Sequence, residues 1–330
     1  MIYTTFGIPA TADSYHAVAD RDQLITLLQQ HRTTDTPLFI LGSGSNVIFS
    51  SHYHGTVIHL ENKGIHLIGH DLENGDLLVQ AAAGENWDAF VRHCIDNHWH
   101  GAENLAAIPG TVGAAPVQNV GAYGTEAKDI IHSVLAIDTV TGQDRTFTND
   151  ECRFGYRDSI FKNQLKGRYI VWAVTFRLHP RFTPDLRYKG LADALEASGL
   201  NNPTAQQMAD LVTTVRWNKL PRPEETGSAG SFFKNPVVPA AQYLQLKQQY
   251  PGLVAHPAGD NYKLAAGWLI EQAGWKGRSL GHCGVYQKQA LVLVNLGGCT
   301  GSEVVALADA ITADIQSKFG VTLEKEAIIL

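Results

Sequence analysis

With 330 residues, of which 44% are hydrophobic and 18% charged, the chain has an ordinary globular composition and the length for two or three domains, which excludes a disordered or fibrous polypeptide. A formal net charge of −6 and a pI near 6.1 exclude broad electrostatic binding to nucleic acid or to an acidic membrane face, while leaving room for a local basic pocket that takes a phosphate. The expected partner is a small molecule, with no nucleic acid, membrane or obligatory protein partner. Met1-Ile2-Tyr3-Thr4-Thr5 carries no basic segment leading into an apolar block, and no later run is long enough to cross a bilayer, so a cytoplasmic protein is expected. Cys94, Cys152, Cys283 and Cys299 are scattered without C-x-x-C spacing and read as buried thiols, giving neither a disulfide framework nor a metal site.

Pro37-Leu38-Phe39-Ile40-Leu41 predicts a buried strand, followed at once by Gly42-Ser43-Gly44-Ser45-Asn46. Such a loop can turn successive N–H groups inward around a pyrophosphate, with hydroxyl and amide donors added. The alternative is a plain hairpin loop, because Val47-Ile48-Phe49 reads as a second strand where a dinucleotide fingerprint would start a helix. Val57–Leu60 and Leu77–Gln80 read as further strands, with Glu73-Asn74-Gly75-Asp76 as a polar turn. In the segment 85–99, Trp87, Phe90, Val91, Cys94 and Ile95 recur at helical spacing and predict one buried face. His93, His98 and His100 fall on different faces and read as solvated side chains.

Residues 108–124 hold four glycines, three alanines and two prolines, a backbone with little bulk that suits close approach to a flat ring or phosphate; a packed loop between strands is the alternative. Two separate small-residue loops in one chain favour a dinucleotide cofactor. Val134–Asp138 and Tyr169–Leu178 predict strands, the second with Ile170, Trp172, Val174, Phe176 and Leu178 on one face. Between them Arg157 sits among apolar residues: it either holds a carboxylate or pairs structurally with Asp158 or Glu151. A helix from about Thr204 buries Met208, Leu211, Val212 and Val215, and its Arg216 and Lys219 serve either the helix dipole or an anionic ligand. Helices over residues 262–274 and from an N-cap at Ser302 to Gly320 follow, the latter with Val304, Leu307, Ala308, Ile311, Ile315 and Phe319 as its stripe. A strand is expected at 290–294, and Glu324 and Glu326 in the terminal segment read by default as edge charges.

Taken together and in order, Gly42-Ser43-Gly44-Ser45-Asn46, Ile108-Pro109-Gly110-Thr111-Val112-Gly113, Gly155-Tyr156-Arg157-Asp158-Ser159, Gly230-Ser231-Phe232-Phe233-Lys234-Asn235-Pro236 and Leu323-Glu324-Lys325-Glu326 resemble the UDP-N-acetylmuramate dehydrogenase family, also called UDP-N-acetylenolpyruvoylglucosamine reductases. The resemblance covers almost the whole chain. It implies an α+β fold with a two-lobed FAD-binding region of the vanillyl-alcohol-oxidase/PCMH type and an α+β substrate-binding domain. The expected division is residues 1–70 and 71–218 for the two FAD lobes and 219–320 for the substrate domain, with 321–330 returning to the FAD region or active site.

The same resemblance implies non-covalent FAD, NADPH as reductant, and hydride delivery from the flavin N5 to the vinyl terminus of a UDP-sugar enolpyruvyl ether. Arg157 and Glu326 match the residues that stabilise the resulting enolate, and Ser231 matches the proton donor. Gly42, Ser43, Gly44, Ser45, Asn46, Pro109, Gly110, Thr111, Gly113, Ala114, Asn119, Gly121, Ala122, Tyr123 and Arg216 would hold the cofactor. Tyr156, Tyr188, Lys219, Lys234, Asn235 and Gln287 would line the substrate site, Lys219 also supporting Ser231. Leu186–Leu191 and the long segment 242–266 resemble the larger subtype with a tyrosine loop, although His256 stands where a tyrosine is common and the chain stops at Leu330, soon after Glu326.

Overall fold

A computed structural model describes residues 1–34, 36–71 and 74–330, and the chain divides into two compact units. One unit comprises Ala12–Ser43 and His54–Trp217; the other comprises Met1–Thr11, Gly44–Tyr53 and Asn218–Leu330. Among the described residues, no helix is long and apolar enough to cross a membrane. Glu73, where the expected polar turn begins, lies outside the described residues; Gly75 N–H donates to the Asp71 carbonyl at 2.8 Å.

The first unit is built on a five-stranded antiparallel sheet in the order Asp144–Thr148, Ile131–Asp138, Tyr169–Leu178, Leu77–Ala82, Ile65–His70. The helix Trp87–Asp96 packs its expected face, Trp87, Phe90, Val91, Cys94 and Ile95, into this core, and Asn86 caps it by accepting from Ala89 N–H. Phe90 and Phe176 meet with ring centroids 4.5 Å apart, and each buried aromatic of this kind contributes about 1.5–3 kcal/mol by area. The one-sided burial expected for Tyr169–Leu178 is not what forms. A register shift between Val171 and Ala173 bends the strand, and both of its faces are covered, with Ile170 in one core cluster and Val171, Val174, Phe176 and Leu178 in another.

In the other unit the strands Ser228–Ser231, Val292–Asn295, Cys283–Val285 and Ser279–Leu280 form one sheet, against which the helix Gly301–Phe319 buries Val304, Leu307, Ala308, Ile311, Ile315 and Phe319. The expected stripe is present, but the N-cap is Thr300 rather than Ser302. Thr300 N–H donates to Glu303 Oε2 at 2.8 Å and Glu303 N–H donates to Thr300 Oγ1 at 3.3 Å, a capping box that Ser302 cannot make because it lies within the first turn. The helix expected over 262–274 also starts later. Asn261–Leu264 is a strand flanked on both sides, by Val237–Pro239 and Ala255–Ala258, and that pairing outweighs the local helical pattern; the helix is Ala266–Gln272, ended by Gly274 at φ 83°.

The reading of all four cysteines as thiols is corrected as well: Cys94 and Cys152 are buried thiols, whereas Cys283 and Cys299 form a disulfide. Cys283 pairs across the sheet with Asn295, and the turn through Gly297 and Gly298, both at positive φ, brings Cys299 back to a Cα separation of 5.5 Å. Sequence separation hides this neighbourhood, which exists only once the hairpin has formed. Finally, Ile328–Ile329 runs parallel to Val47–Ile48, so the last residues of the chain join the strand after the first glycine-serine loop.

Candidate active site

In the unit of Ala12–Ser43 and His54–Trp217, the two small-residue loops are shaped by close approach. A Cβ on Gly42 would lie 2.6 Å from Thr111 Oγ1, and one on Gly113 would lie 2.5 Å from the Ala83 Cβ, so side chains are excluded at both positions. Val112 N–H donates to Glu85 O at 2.9 Å, Gly113 N–H to Ala83 O at 2.8 Å and Ala114 N–H to Thr111 O at 3.1 Å, while Gly110 O accepts from Trp87 N–H at 3.1 Å. Pro109 enters this stitched turn. Ser43 Oγ is buried and has no hydrogen-bond partner among the described residues.

Further along, Asn119, Tyr123 and Arg157 all adopt left-handed backbone, with φ of 47°, 51° and 53°. Each such non-glycine conformation costs on the order of 1 kcal/mol and persists only where neighbours over-determine it. They do so here. The buried Asn119 amide donates to Glu126 Oε2 and to Gly155 O, each at 3.0 Å, and its Oδ1 accepts from Lys128 N–H at 3.0 Å, so this side chain serves the loop. Arg157 donates to Gly121 O at 2.8 Å and to Asn119 O at 3.4 Å. Of the carboxylates weighed as its partners, Asp158 accepts from Asn163 at 2.7 Å and Glu151 accepts from Thr148 N–H at 2.8 Å. Gly121 and Ala122 pair with Thr125 and Glu126 in a short hairpin, and Arg157 lies over the exposed Tyr156 ring at 5.6 Å.

Tyr123 meets the Tyr188 ring edge-on, centroids 5.5 Å apart, and is hydrogen-bonded by Arg216. Burial raises the Tyr123 pKa, and the Arg216 charge opposes this; burial lowers that of Arg216, an effect countered by Tyr123 and reinforced by the like charge of Arg157. Arg216 Nε, like Ser43 Oγ, is closed off from solvent with no hydrogen-bond partner among the described residues. Buried polar atoms of native proteins are nearly always satisfied, so an orphaned hydroxyl and an orphaned guanidinium N–H, beside loops that admit no side chains, fit an anionic cofactor.

Three residues that sequence reasoning missed organise the Tyr188 segment. The Asn104 amide donates to Asp185 O at 2.8 Å and to Tyr123 O at 3.4 Å, and Thr125 Oγ1 donates to Asp185 Oδ2 at 3.1 Å. The hydrogen-bonded Arg187 side chain holds the Asp185 carboxyl below its usual range despite partial burial. Asn104 lies in the short turn Glu103–Leu105, where no periodicity marks it.

In the other unit, Ser231 ends the strand Ser228–Ser231 just after Gly230 at φ 67°. Phe232 and Phe233 are fully buried, ring centroids 5.4 Å apart, and fix the turn as their position implies. Main-chain bonds then bring the terminal segment alongside: Glu326 N–H donates to Phe232 O at 2.8 Å, Phe233 bridges Lys325, and Lys234 N–H donates to Glu324 O at 2.9 Å. Ser231 and Glu326, far apart in sequence, therefore flank one hydrogen-bonded ladder. Lys234 is ion-paired with Glu324, and Asn235 Oδ1 accepts from Ala266 N–H at 2.9 Å, which leaves the Asn235 NH₂ for other work. Lys219, the last residue of the helix Ala205–Lys219, is exposed whereas Arg216 is not, so the pair that shares a helix edge in sequence has parted roles. Gln287 is exposed in the turn after Cys283–Val285. Gly44 is confined by Thr4 and Tyr3, each 3.0 Å from the position of an added Cβ, and Ser45 and Asn46 follow it into the strand Val47–Ile48.

Residues 12–148 match the model of an FAD binding domain, and residues 222–330 that of the C-terminal domain of UDP-N-acetylenolpyruvoylglucosamine reductase. The chain is 46% identical, over 99% of its own length and 94% of theirs, to UDP-N-acetylenolpyruvoylglucosamine reductases of Burkholderia lata and of an Azoarcus species. It is similar in fold, with a TM-score of 0.66 and 24% identity over 99% of this chain and 95% of the other, to the crystal structure of UDP-N-acetylenolpyruvylglucosamine reductase from Thermus caldophilus.

Proposed function

The chain belongs to the UDP-N-acetylenolpyruvoylglucosamine reductase family, and from that premise we propose that it uses NADPH to reduce UDP-N-acetylglucosamine enolpyruvate to UDP-N-acetylmuramate in peptidoglycan precursor synthesis. The observation that carries the reading is the ladder that sets Glu326 beside the Ser231 turn. The glycine-serine loop, the 108–124 loop and Arg216 would hold FAD, which when bound would supply the hydride. The residues of the chain manage the consequence of that transfer. Once hydride has added to the vinyl terminus, the electron pair of the double bond sits on the carbon next to the carboxylate, and the resulting enolate must be stabilised before it is protonated.

Arg157 offsets that charge. Glu326, in its protonated form, donates a hydrogen bond to the substrate carboxylate as it becomes enolate-like. Ser231 O–H then gives its proton to the carbon, and the serine recovers a proton from solvent with Lys219 supporting the transient alkoxide. Tyr156, Tyr188, Lys234, the Asn235 NH₂ and Gln287 bind the UDP-sugar. The protein works in the cytoplasm on small molecules without an obligatory protein partner.

The test is stoichiometric. Purified yellow protein mixed with NADPH and UDP-N-acetylglucosamine enolpyruvate consumes the two in equal amounts. Flavin that NADPH cannot bleach would overturn the reading. Hydrogen peroxide formed without NADPH would mark an oxidase instead, and nucleotide binding without turnover a binding module.

A further inference from the structure

From the sequence Asn46 is expected to help hold the cofactor; in the folded chain its side chain also reaches Glu326. Its Nδ2 donates to the main-chain carbonyl of Glu326 at 3.2 Å, and its own carbonyl accepts from Ile328 N–H at 2.9 Å. Glu326 is thus gripped on both sides of its Cα. Its N–H is taken by Phe232 O, next to Ser231, and its carbonyl by Asn46, next to the glycine-serine loop. The grip continues to the end of the chain: Leu330 N–H donates to Ile48 O at 2.9 Å, and Leu330 O accepts from Ser50 N–H at 2.7 Å and from Ser50 Oγ at 2.6 Å. Most of these links are main chain to main chain. The Asn46 bond is a side-chain link at the residue that matters, so it is where a substitution can loosen Glu326 without removing the carboxyl.

We propose that Asn46 is a positioning residue for Glu326: it locks the carboxyl-bearing residue to the cofactor loop, and so fixes where the Glu326 side chain starts. This rests on the role given to Glu326 under the proposed function. A carboxyl that hydrogen-bonds a developing enolate must be held to within a fraction of an ångström, and a misplacement near 1 Å costs on the order of 100-fold in rate. The isosteric change Asn46→Asp keeps the shape and the main-chain bond to Ile328, but sets an acceptor oxygen against the Glu326 carbonyl.

The experiment separates the half-reactions by stopped flow in the flavin-loaded enzyme, for Asn46→Asp, Asn46→Ala, Glu326→Gln and the Asn46→Asp/Glu326→Gln double variant. The expected result for both Asn46 variants is a loss of roughly 10- to 100-fold in re-oxidation of reduced flavin by the enolpyruvyl substrate, at least ~10-fold larger than the loss in reduction by NADPH. The double variant is expected to be no slower than Glu326→Gln alone, because Asn46 acts through Glu326. Hydrogen exchange at the amides of Glu326 and Ile328 is expected to speed up in Asn46→Asp and to stay unchanged in Glu326→Gln, a readout independent of turnover.

Equal loss in both half-reactions, additive loss in the double variant, or unaltered exchange would each overturn the proposal while leaving the assigned reaction standing. If Glu326→Gln itself leaves re-oxidation unaffected, it is the underlying role of Glu326 that fails. Should Asn46→Ala not fold, the isosteric Asn46→Asp still decides the matter.

Discussion

Around Ser231 the chain is held by main-chain hydrogen bonds: Phe232 to Glu326 and to Leu291, and Lys234 to Glu324. Around Arg157 main-chain bonds between Gly155 and Asp158 close the turn, and side chains carry much of the rest. Asn119 is buried with three bonds, Arg157 itself donates to two carbonyls, and both residues, with Tyr123, carry left-handed backbone. The contrast teaches where chemistry and architecture can be separated. A ladder of main-chain bonds tolerates the loss of a side chain, whereas a loop tied by a guanidinium loses its shape along with its charge.

The sharpest way to test this contrast is Ser231→Ala. Reduction of the flavin by NADPH is expected to persist while product formation falls by at least ~100-fold, with the stability change within about 0.5 kcal/mol. Both half-reactions slowing equally would sink the proton-donor role, and a large fall in Tm would contradict the main-chain account of the turn. Next in size, Arg157→Ala is expected to lower turnover by about 100-fold through loss of charge stabilisation and, unlike Ser231→Ala, to lower Tm as well. Arg157→Lys should recover little of either, since an ammonium cannot reproduce the planar fork that reaches two carbonyls. A kinetic loss with unchanged Tm would erase the difference between the two regions.

The covalent link gives a stability effect with less effect on chemistry. Cutting Cys283–Cys299, by Cys299→Ser or by a reducing agent, is expected to cost on the order of 3 kcal/mol for a loop closing over a sequence separation of 16, measured by denaturant unfolding. An unchanged midpoint would show that the sheet and the Gly301–Phe319 helix hold the hairpin without it. The smallest effect is at Glu303. Bonds from Thr300 N–H and from His282 hold its carboxyl at about 2, against an ordinary value of 4.5. A depressed carboxyl adds stability above its unfolded pKa and loses it as the pH falls through the folded one. Glu303→Gln is therefore expected to lower Tm slightly at neutral pH, with the gap to the parent closing between about pH 4.5 and pH 2. A gap independent of pH would mean that capping geometry, not charge, is what the substitution removes.

Much of the scaffold is legible from local periodicity. The helices Trp87–Asp96 and Gly301–Phe319 bury the faces that their 3.6-residue spacing predicts, and Gly320 at φ 63° closes the second. Where longer-range pairing competes, the pattern misleads. Asn261–Leu264 reads as the start of a helix and is captured by two strands, and Tyr169–Leu178 reads as half-buried yet is covered on both faces. The candidate site was legible as a set of motifs, and the resemblance they carry agrees with the family that the comparisons establish. What no motif could supply was which polar atoms are already in use. Asn119 and Asn46 both lie in small-residue loops, yet one spends its side chain on its own loop and the other holds the carbonyl of Glu326.

The sequence by itself determined helices such as Trp87–Asp96 and Gly301–Phe319, the two loops poor in side-chain bulk, and the family to which the chain belongs, because each of these depends on local periodicity or on the identity of side chains. Tertiary structure alone decided that Cys283 meets Cys299, that Asn104 and Asp185 tie down the Tyr188 segment, and which partners the expected return of the terminal segment finds, Val47–Ile48 for Ile328–Ile329 and Phe232 for Glu326. These are encounters between residues distant along the chain, and they exist only after sheet register and loop closure have fixed the backbone, since a hydrogen bond or a disulfide is a matter of a few ångströms that no spacing in sequence encodes.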